Sequence, residues 1–167
     1  LRVHNQINAE YILITHNSIK CIDKKYIKKA DSKIIHWFAE NLMIENNEKF
    51  TAIPLGLENK KFNKNSETKS YKNKDYQRIK NSLVICSFAT QTNKEVRQPL
   101  YDLALEHKFI DISIYKNHEN YIEALSNYKF SLCPEGSGID THRFWESLMV
   151  GTVPIVTNNC IIKNFSS

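Results

Sequence analysis

The sequence predicts an α/β fold built on parallel sheet, with helices on both faces of the strands. Three observations predict it. Short apolar runs rich in β-branched residues recur along the chain, segments with helical spacing separate them in the second half, and a glycine-bearing loop follows one run. Strands that are apolar throughout and alternate with helices are typical of parallel sheets covered on both faces.

The composition is that of a globular chain comprising one domain or parts of two. The chain has 167 residues, of which 41% are hydrophobic, and this excludes compositional disorder. No apolar run reaches the length of a membrane span, and the N-terminus shows no signal-peptide pattern. Because the chain does not begin with Met, we expect a fragment. Its localisation is left open, and any membrane association is expected only through a segment outside this chain.

The charge and the metal-binding residue types narrow the expected ligands. The net charge is +5, from 23 Lys and Arg against 18 Asp and Glu, which suits an anionic small ligand, although a solvated lysine-rich surface explains it better. The lysine-rich tract 60–80 lacks regular aromatic interleaving, so no nucleic-acid partner is expected. The four cysteines and six histidines show no metal-ligand spacing, so no metal site is predicted.

The first part of the chain shows fewer elements than the second. The run YILIT at residues 11–15 predicts a buried strand, and residues 24–30 a short helix. Residues 34–42 are apolar and fit a helix or a strand equally. A strand is predicted over 50–54, and the polar tract 58–81 then predicts a linker or loop.

The second part predicts the order β-α-β-α-β-α-β from residue 82. Pro99 interrupts one helical segment, so we expect that helix to begin near Gln98 with Pro99 at its first position. Pro154 within the last apolar run indicates an edge strand or a strand start. The predicted elements are strand 82–88, helix 93–107, strand 110–115, helix 120–128, strand 130–133, a helix from 140, and strand 153–156.

The most informative segment is FSLCPEGSGIDTHRFWESLMVGTVPIV, at residues 130–156. Glycines in its loop permit positive φ and leave out side-chain bulk, and Asp140 or Thr141 is expected to cap the following helix. Ligands of parallel sheets bind beyond the carboxyl ends of strands, and a helix N-terminus there is an anion site. We therefore expect the loop amides of Gly136, Ser137 and Gly138 to contribute to an anion site.

Three polar residues follow on one side of this helix: His142, Arg143 and Glu146. Arg143 and the loop amides are suited to a phosphate, and Glu146 to two ribose hydroxyls, with about 1.5–3 kcal/mol for each charged hydrogen bond. The alternative is an exposed Arg143–Glu146 pair that contributes only about 0.2–0.5 kcal/mol. The segment is neither a P-loop nor a GxGxxG fingerprint.

The stretch PEGSGIDTHRFWESLMVGTVPIV resembles the donor-binding segment of GT-B glycosyltransferases, in particular the exostosin-like group (glycosyltransferase family 47-like). There the pattern is P-x-G-x-G-x-D-x-x-R-x-W-E-A-L-x-x-G-x-x-P-[IV], and Ser147 stands here where Ala is common. The resemblance implies that Glu146 binds the donor ribose, while Arg143 and the loop amides face the diphosphate or the sugar. Glu135 stands where such families carry Arg or Glu and is a candidate catalytic residue.

The resemblance also extends upstream and implies a domain organisation. ITHNS at 14–18 and AIPLGLEN at 52–59 are similar to the end of the N-terminal Rossmann-like domain, which assigns residues 1–57 to it and 82–167 to an incomplete Rossmann-like donor domain. SFATQTNKEVRQPLY at 87–101 is similar to the first strand and helix of the donor domain. Arg97 is then a diphosphate ligand, with a solvated helix charge as the alternative. His16 at a strand end is a candidate catalytic residue, with a structural histidine as the alternative.

The resemblance implies a metal-independent transferase whose partners are a nucleotide sugar, as donor substrate, and a saccharide or other acceptor, with no further cofactor. The sequence Asp111-Ile112-Ser113 lacks the second acid of a DxD metal motif. The alternative function is a non-catalytic α/β module that binds nucleotides or phosphorylated ligands. A Rossmann-like oxidoreductase is disfavoured because its glycine fingerprint is missing.

Overall fold

The chain folds into α/β units with parallel sheets, as the sequence predicted. The computed structural model describes residues 3–59, 68–71 and 79–165. Most of the predicted linker over 58–81 lies outside these residues. The described strands form a three-stranded and a four-stranded sheet, both parallel, in a Rossmann-like α/β arrangement. None of the described helices is both long enough and apolar enough to span a bilayer.

Unit 1 comprises Leu1–Leu55, Gly138–Asp140 and Asn158–Ser167. Its strands lie in the order β1-β2-β3, and its core is formed by residues such as Trp37 and Leu42. Residues 34–39 of the ambiguous segment 34–42 form a strand, in which Trp37 and Ala39, two residues apart, are both buried on one face. The elements are β1 (Tyr11–Thr15), α1 (Lys24–Ile27), β2 (Ile34–Ala39), β3 (Phe50–Ala52) and α5 (Cys160–Phe165).

Unit 2 comprises Gly56–Ser137 and Thr141–Thr157. Its four-stranded sheet has the order β5-β4-β6-β7. Pro154 lies in the edge strand of this sheet, as predicted, where its missing N–H leaves no partner unsatisfied. The elements are β4 (Ser82–Cys86), α2 (Lys94–Glu106), β5 (Ile110–Ile112), α3 (His118–Leu125), β6 (Tyr128–Leu132), α4 (His142–Met149) and β7 (Val153–Ile155).

Helices cover both faces of the unit 2 sheet, which explains why β4 is apolar without alternation. Val84 and Cys86 pack in one cluster with Ala104 of α2. Ile85, between them, packs in the other cluster with Ile122 of α3. Because successive side chains of a strand point to opposite faces, both faces of β4 require apolar residues.

The strand order places a topological switch point between β4 and β6. From β4 the chain passes through α2 to β5 on one side, and then through α3 to β6 on the other side of β4. The loops after β4 and β6 therefore begin at neighbouring strands and lead to opposite sides of the sheet. Such a crevice is where open α/β sheets bind their ligands.

The predicted helices differ from the observed ones at their ends: α1 ends at Ile27 rather than at residue 30, α3 spans His118–Leu125 rather than 120–128, and α4 begins at His142 rather than at 140. The helix α2 begins at Lys94 rather than near Gln98, so Pro99 lies inside it. Pro99 is exposed and removes one early hydrogen bond, the one to the Glu95 carbonyl, which water reaches at the surface. The helix α5 was not predicted, although the side chain of Asn159 accepts hydrogen bonds from the backbone N–H of residues 161 and 162 and caps it.

The predicted cap of α4 is wrong. Thr141 occupies the N-cap position, and its side chain makes no capping hydrogen bond. The Asp140 carboxylate instead accepts from the backbone N–H of Leu55 at 2.7 Å, and the Asp140 N–H donates to Asn41 Oδ1 at 3.0 Å. Asp140 therefore holds its loop within unit 1, and the first N–H groups of α4 are left without a side-chain acceptor.

Candidate functional site

Arg97 joins the loop after β4 to the loop after β6 through hydrogen bonds at the switch point. It lies near the start of α2 and is only 5% exposed, so it is not the solvated helix charge of the alternative interpretation. Its guanidinium donates to three backbone carbonyls: Nε to Glu135 at 2.8 Å, Nη1 to Ala89 at 2.9 Å, and Nη2 to Pro134 at 3.4 Å. These contacts join the loop after β4 to the loop after β6.

Gly136 is required by the closeness of Arg97. A Cβ at this position would lie 2.9 Å from Arg97 Nη2, which is closer than real Cβ contacts. Asn93 Nδ2 also donates to the Gly136 carbonyl at 3.1 Å. Neither Gly136 nor Gly138 has the positive φ that the sequence analysis allowed for, whereas Gly151 after α4 has φ of 67°. Gly136 is therefore needed because Arg97 approaches the backbone closely, and not because the loop makes a left-handed turn.

Arg143 reaches the same loop region from α4. Its Nη2 donates to the carbonyl of Ser87, the residue that follows β4. Its guanidinium carbon lies 5.5 Å from the centroid of the Tyr121 ring, within the range of a cation–π contact. The Nε atom is buried and has no hydrogen-bond partner in the described part of the chain.

Arg97 and Arg143 form a pair of guanidinium groups without a neutralising acid. Across residues 3–59, 68–71 and 79–165, neither has a carboxylate oxygen within 4.0 Å. Burial, and then the positive charge of Arg143, lower the pKa of Arg97 to about 10. The exposed Arg143–Glu146 pair of the alternative interpretation is therefore not formed, and neither guanidinium has an ion-pair partner among the described residues.

Glu146 is buried and paired with a histidine that the sequence analysis did not single out. Its Oε1 lies 3.0 Å from Nε2 of His118, and the two side chains are 7% and 6% exposed. The Tyr71 hydroxyl is 3.3 Å from the same nitrogen. His118 is the first residue of α3, and the Asn117 side chain caps this helix by accepting from the Asn120 N–H. That capping signal locates the helix start but gives no sign of the pairing across 28 residues of sequence.

Three polar atoms around this cluster lack a partner. Within the described ranges, the buried side-chain nitrogen and oxygen atoms without a hydrogen bond are His118 Nδ1, the Tyr121 hydroxyl and Arg143 Nε. Burial raises the pKa of Tyr121, so its hydroxyl keeps its proton. An unsatisfied buried group costs about 1–3 kcal/mol, and native proteins rarely leave one without water or ligand.

The other predicted residues are placed in less direct positions. His142 Nδ1 lies 2.7 Å from the Gly56 carbonyl and therefore donates to it. Ser137 is exposed, and Gly138 belongs to unit 1. Glu135 contributes its backbone carbonyl to Arg97. The structure thus brings together Arg97, Gly136, Arg143 and Glu146, while His16 follows β1 in unit 1.

The described part of the chain contains no group of three or more His, Cys, Asp and Glu residues suited to a metal ion. Burial raises the pKa of the Cys86 thiol to about 11 and also raises that of Cys133. Both thiols are therefore protonated at neutral pH and unreactive.

The fold and the geometry define a class: a Rossmann-like α/β protein with a cationic site at the switch point of a parallel sheet. No known protein-family model matches the chain, and no curated protein is significantly similar to it.

Proposed function

We propose that unit 2 binds the diphosphate and ribose of a sugar nucleotide, and that the protein is a GT-B-type glycosyltransferase or the donor-binding part of one. The observation that carries the proposal is the pair of guanidinium groups, Arg97 and Arg143, which have no carboxylate partner within the described residues and lie at the switch point. Buried cations without an acid in the protein are costly unless a ligand supplies the negative charge.

The groups around the two arginines suit a diphosphate. Each guanidinium has five N–H donors, and the backbone carbonyls occupy only some of them. The first N–H groups of α4 lack a side-chain cap and are further donors for phosphate oxygens. Arginine is also suited to phosphate because its planar group binds two oxygens at once.

Glu146 supplies the chemistry for the ribose. Its carboxylate is held by His118 through a single oxygen, and a carboxylate has capacity for further hydrogen bonds from vicinal hydroxyls. The resemblance of residues 134–156 to exostosin-like donor segments supports a sugar nucleotide over a simple phosphate. The same resemblance supports the wider assignment of residues 1–57 and 82–167 to the two domains of a GT-B protein.

The positive site also explains how transfer is promoted. As the bond between the sugar and the diphosphate breaks, negative charge grows on the leaving phosphate. Arg97, Arg143 and the N-terminal amides of α4 stabilise that charge, and they are already fixed by the loops before reaction. The acceptor is a saccharide or another hydroxyl compound.

The second candidate function is a non-catalytic module that binds nucleotides or phosphorylated ligands. The observation in its favour is that binding alone accounts for the unneutralised arginines. Incubation of a sugar nucleotide with the protein and candidate acceptors separates the two, because release of nucleoside diphosphate in an acceptor-dependent manner requires an enzyme.

Substitution of Arg143 tests the binding site. We expect Arg143→Gln to weaken the binding of UDP or GDP by about 10- to 150-fold, the equivalent of the 1.5–3 kcal/mol of a charged hydrogen bond. Isothermal titration calorimetry measures this. Lys108→Gln, which removes an exposed positive charge before the amino end of β5, is the matched control. Equal affinity in Arg143→Gln and Lys108→Gln would show that the assignment is wrong.

A further inference from the structure

Most of the chain's positive charge lies in one short segment of unit 1. Residues 20–33 contain six lysines and two aspartates, a net charge of +4 out of the +5 of the whole chain. The other 153 residues, with 17 basic and 16 acidic side chains, are nearly neutral. The segment leads from the loop after β1 through α1 to the start of β2. Such a concentration of charge indicates contact with an anionic partner.

The fold gives the helix of this segment an apolar side and a basic side. Asp23 caps α1 by accepting from the Lys25 N–H at 2.9 Å. Tyr26 and Ile27 pack on the unit 1 core. Because a helix turns by about 100° per residue, the residues on either side of this pair are directed away from the core. Four of them are exposed lysines, and a fifth precedes them in the loop. These five lysines form the lysine patch: Lys20, Lys24, Lys25, Lys28 and Lys29.

The lysine patch differs from the other lysines of unit 1 because its ammonium groups have no ion-pair partner. In the part of the chain that the structure describes, none of the five has a carboxylate oxygen within 4.0 Å. By contrast, Lys33 donates to the carbonyls of His4 and Ile7 at 3.0 and 3.1 Å. Lys49 donates to the carbonyl of Asp31 at 2.7 Å. Those two lysines hold backbone segments together, whereas the charge of the lysine patch faces solvent.

The two aspartates of the segment are engaged elsewhere. The Asp23 carboxylate accepts from two backbone N–H groups of α1, at 2.9 and 3.3 Å. Asp31 Oδ1 accepts from the Lys33 N–H at 3.0 Å, and its Oδ2 lies 3.0 Å from Nε2 of His4. Both carboxylates therefore bind groups of the fold, and neither pairs with an ammonium group of the lysine patch.

Three features favour an anionic bilayer over a nucleic acid as the partner. The patch contains lysines and no arginine, and lysines act as point charges rather than as two-pronged phosphate ligands. Tyr26 is the single aromatic residue of 19–33, and it packs on the core, so the segment offers bases no stacking surface. Ile19, the neighbour of Lys20, is an apolar side chain that is 65% exposed and suits the interfacial region of a bilayer.

We propose that the lysine patch is a docking surface for a membrane rich in acidic phospholipids. Clusters of four to eight basic residues on an amphipathic helix are typical of such surfaces, and each lysine near the bilayer strengthens the attraction about fivefold, the equivalent of about 1 kcal/mol. A surface contact of this kind needs no spanning helix, so it is distinct from the membrane association expected through a segment outside the chain. It lies in unit 1 and does not depend on nucleotide binding by unit 2.

Co-sedimentation of the 167-residue chain with lipid vesicles tests the proposal. The probes are vesicles of phosphatidylcholine with about 30% phosphatidylserine, and vesicles of phosphatidylcholine alone. We expect binding to the acidic vesicles alone, and a decrease of at least about tenfold between about 0.05 and 0.5 M NaCl, because salt screens the attraction. Equal binding to both kinds of vesicle, or to neither, would overturn the proposal. So would binding to a single-stranded oligonucleotide without binding to acidic vesicles, which would assign the patch to nucleic acid.

Paired lysine variants locate the contact. Lys25→Gln combined with Lys28→Gln should lower partition onto the acidic vesicles by about 10- to 30-fold, the loss of two lysine contributions. Lys108→Gln combined with Lys129→Gln removes the same charge from exposed positions of unit 2 and should bind as the wild type does. An equal loss in the two pairs, or none in either, contradicts the assignment to the lysine patch. Lys25→Arg combined with Lys28→Arg keeps the charge and should retain binding, and circular dichroism verifies that each variant is folded.

Discussion

Arg97 combines a buried charge with neutral partners, and this makes the loop beside it intolerant of change. Its Nη2 would contact any side chain at position 136, because a Cβ there would be 2.9 Å away. The guanidinium donates to the carbonyls of Pro134 and Glu135 on either side of the same bend. The Arg97 guanidinium packs so closely on the loop backbone that position 136 has no room for a side chain, and this explains why Gly136 is a glycine.

Replacement of this glycine tests that explanation. We expect Gly136→Ala to lower the free energy of unfolding by about 1–3 kcal/mol, because the methyl group displaces the guanidinium from its carbonyls. Chemical denaturation with urea measures the change. Nucleoside diphosphate affinity should fall in the same variant, since Arg97 is moved.

Gly138→Ala is the matched control for this experiment. A Cβ at position 138 would lie 3.5 Å or more from its nearest neighbours, which is an ordinary contact, and its φ is not positive. The substitution should leave stability nearly unchanged. A similar loss in both variants would mean that flexibility, rather than the approach of Arg97, explains the glycines of this loop.

A ligand-binding role for Glu146 could be predicted from the sequence, but its partner could not. Its type and place in the helix were enough to predict a ligand-binding role, which stays a prediction. Its partner His118 was not predicted, because the two residues lie in different helices and meet only when both pack on the sheet. A pattern along one helix does not show side chains that a neighbouring helix contributes.

At the scale of elements, Lys80 joins the ends of two helices. Its ammonium donates to the carbonyls of Ser126 and Val150, the C-cap residues of α3 and α4, at 2.9 and 3.0 Å. It also donates to the Thr152 hydroxyl at 3.2 Å. A cation at a helix C-terminus satisfies its free carbonyls and interacts favourably with the helix dipole.

We expect Lys80→Met to lower the free energy of unfolding by about 1.5–3 kcal/mol, because the last carbonyls of both helices lose a charged donor. Urea denaturation followed by circular dichroism measures the loss. Lys108→Met removes an exposed lysine from the loop between α2 and β5 and should change stability little. If the two variants are equally stable, the Lys80 contacts contribute nothing to folding.

The elements also show where sequence patterns are sufficient. All the strands of unit 2 were predicted because most of their residues are apolar, and their alternation with helices indicated the parallel sheet. The start of α2 was placed too late because Pro99 was taken as a first residue, whereas it lies in the second turn of the helix and removes one backbone hydrogen bond there. The pairing of Asp140 with unit 1 required tertiary contacts that no local capping rule contains.

At the scale of the whole molecule, the two units differ in their sensitivity to alkali. Among the described residues, the groups whose pKa is raised all belong to unit 2. Burial raises the pKa of Cys86 from 9.0 to about 11, and burial with the Asp111 hydrogen bond raises that of Tyr128 from 10.0 to about 12. Burial also raises the pKa values of Tyr121 and Cys133.

These shifts determine how stability changes with pH. A thiol or phenol whose pKa is raised in the folded state stays protonated while the unfolded chain ionises. Its contribution is complete below the unfolded pKa of 9.0 or 10.0 and is lost as pH rises toward the folded value. The lowered pKa of Arg97 makes stability rise with pH instead. Because its folded pKa is about 10, that effect begins only above pH 10. Unit 2 is therefore expected to lose stability between pH 8 and about 10, before Arg97 opposes the loss.

The two tryptophans allow this to be measured for each unit separately, because Trp37 lies in unit 1 and Trp145 in unit 2. In Trp145→Phe, the fluorescence follows unit 1, and its difference from the wild type follows unit 2. We expect the urea midpoint reported by Trp145 to fall from pH 8 to pH 10, while that reported by Trp37 changes less. Tyr128→Phe removes one of the ionising groups and should reduce the pH dependence of the Trp145 transition. An alkaline loss confined to the Trp37 transition would show that the buried thiols and phenols of unit 2 do not govern its stability.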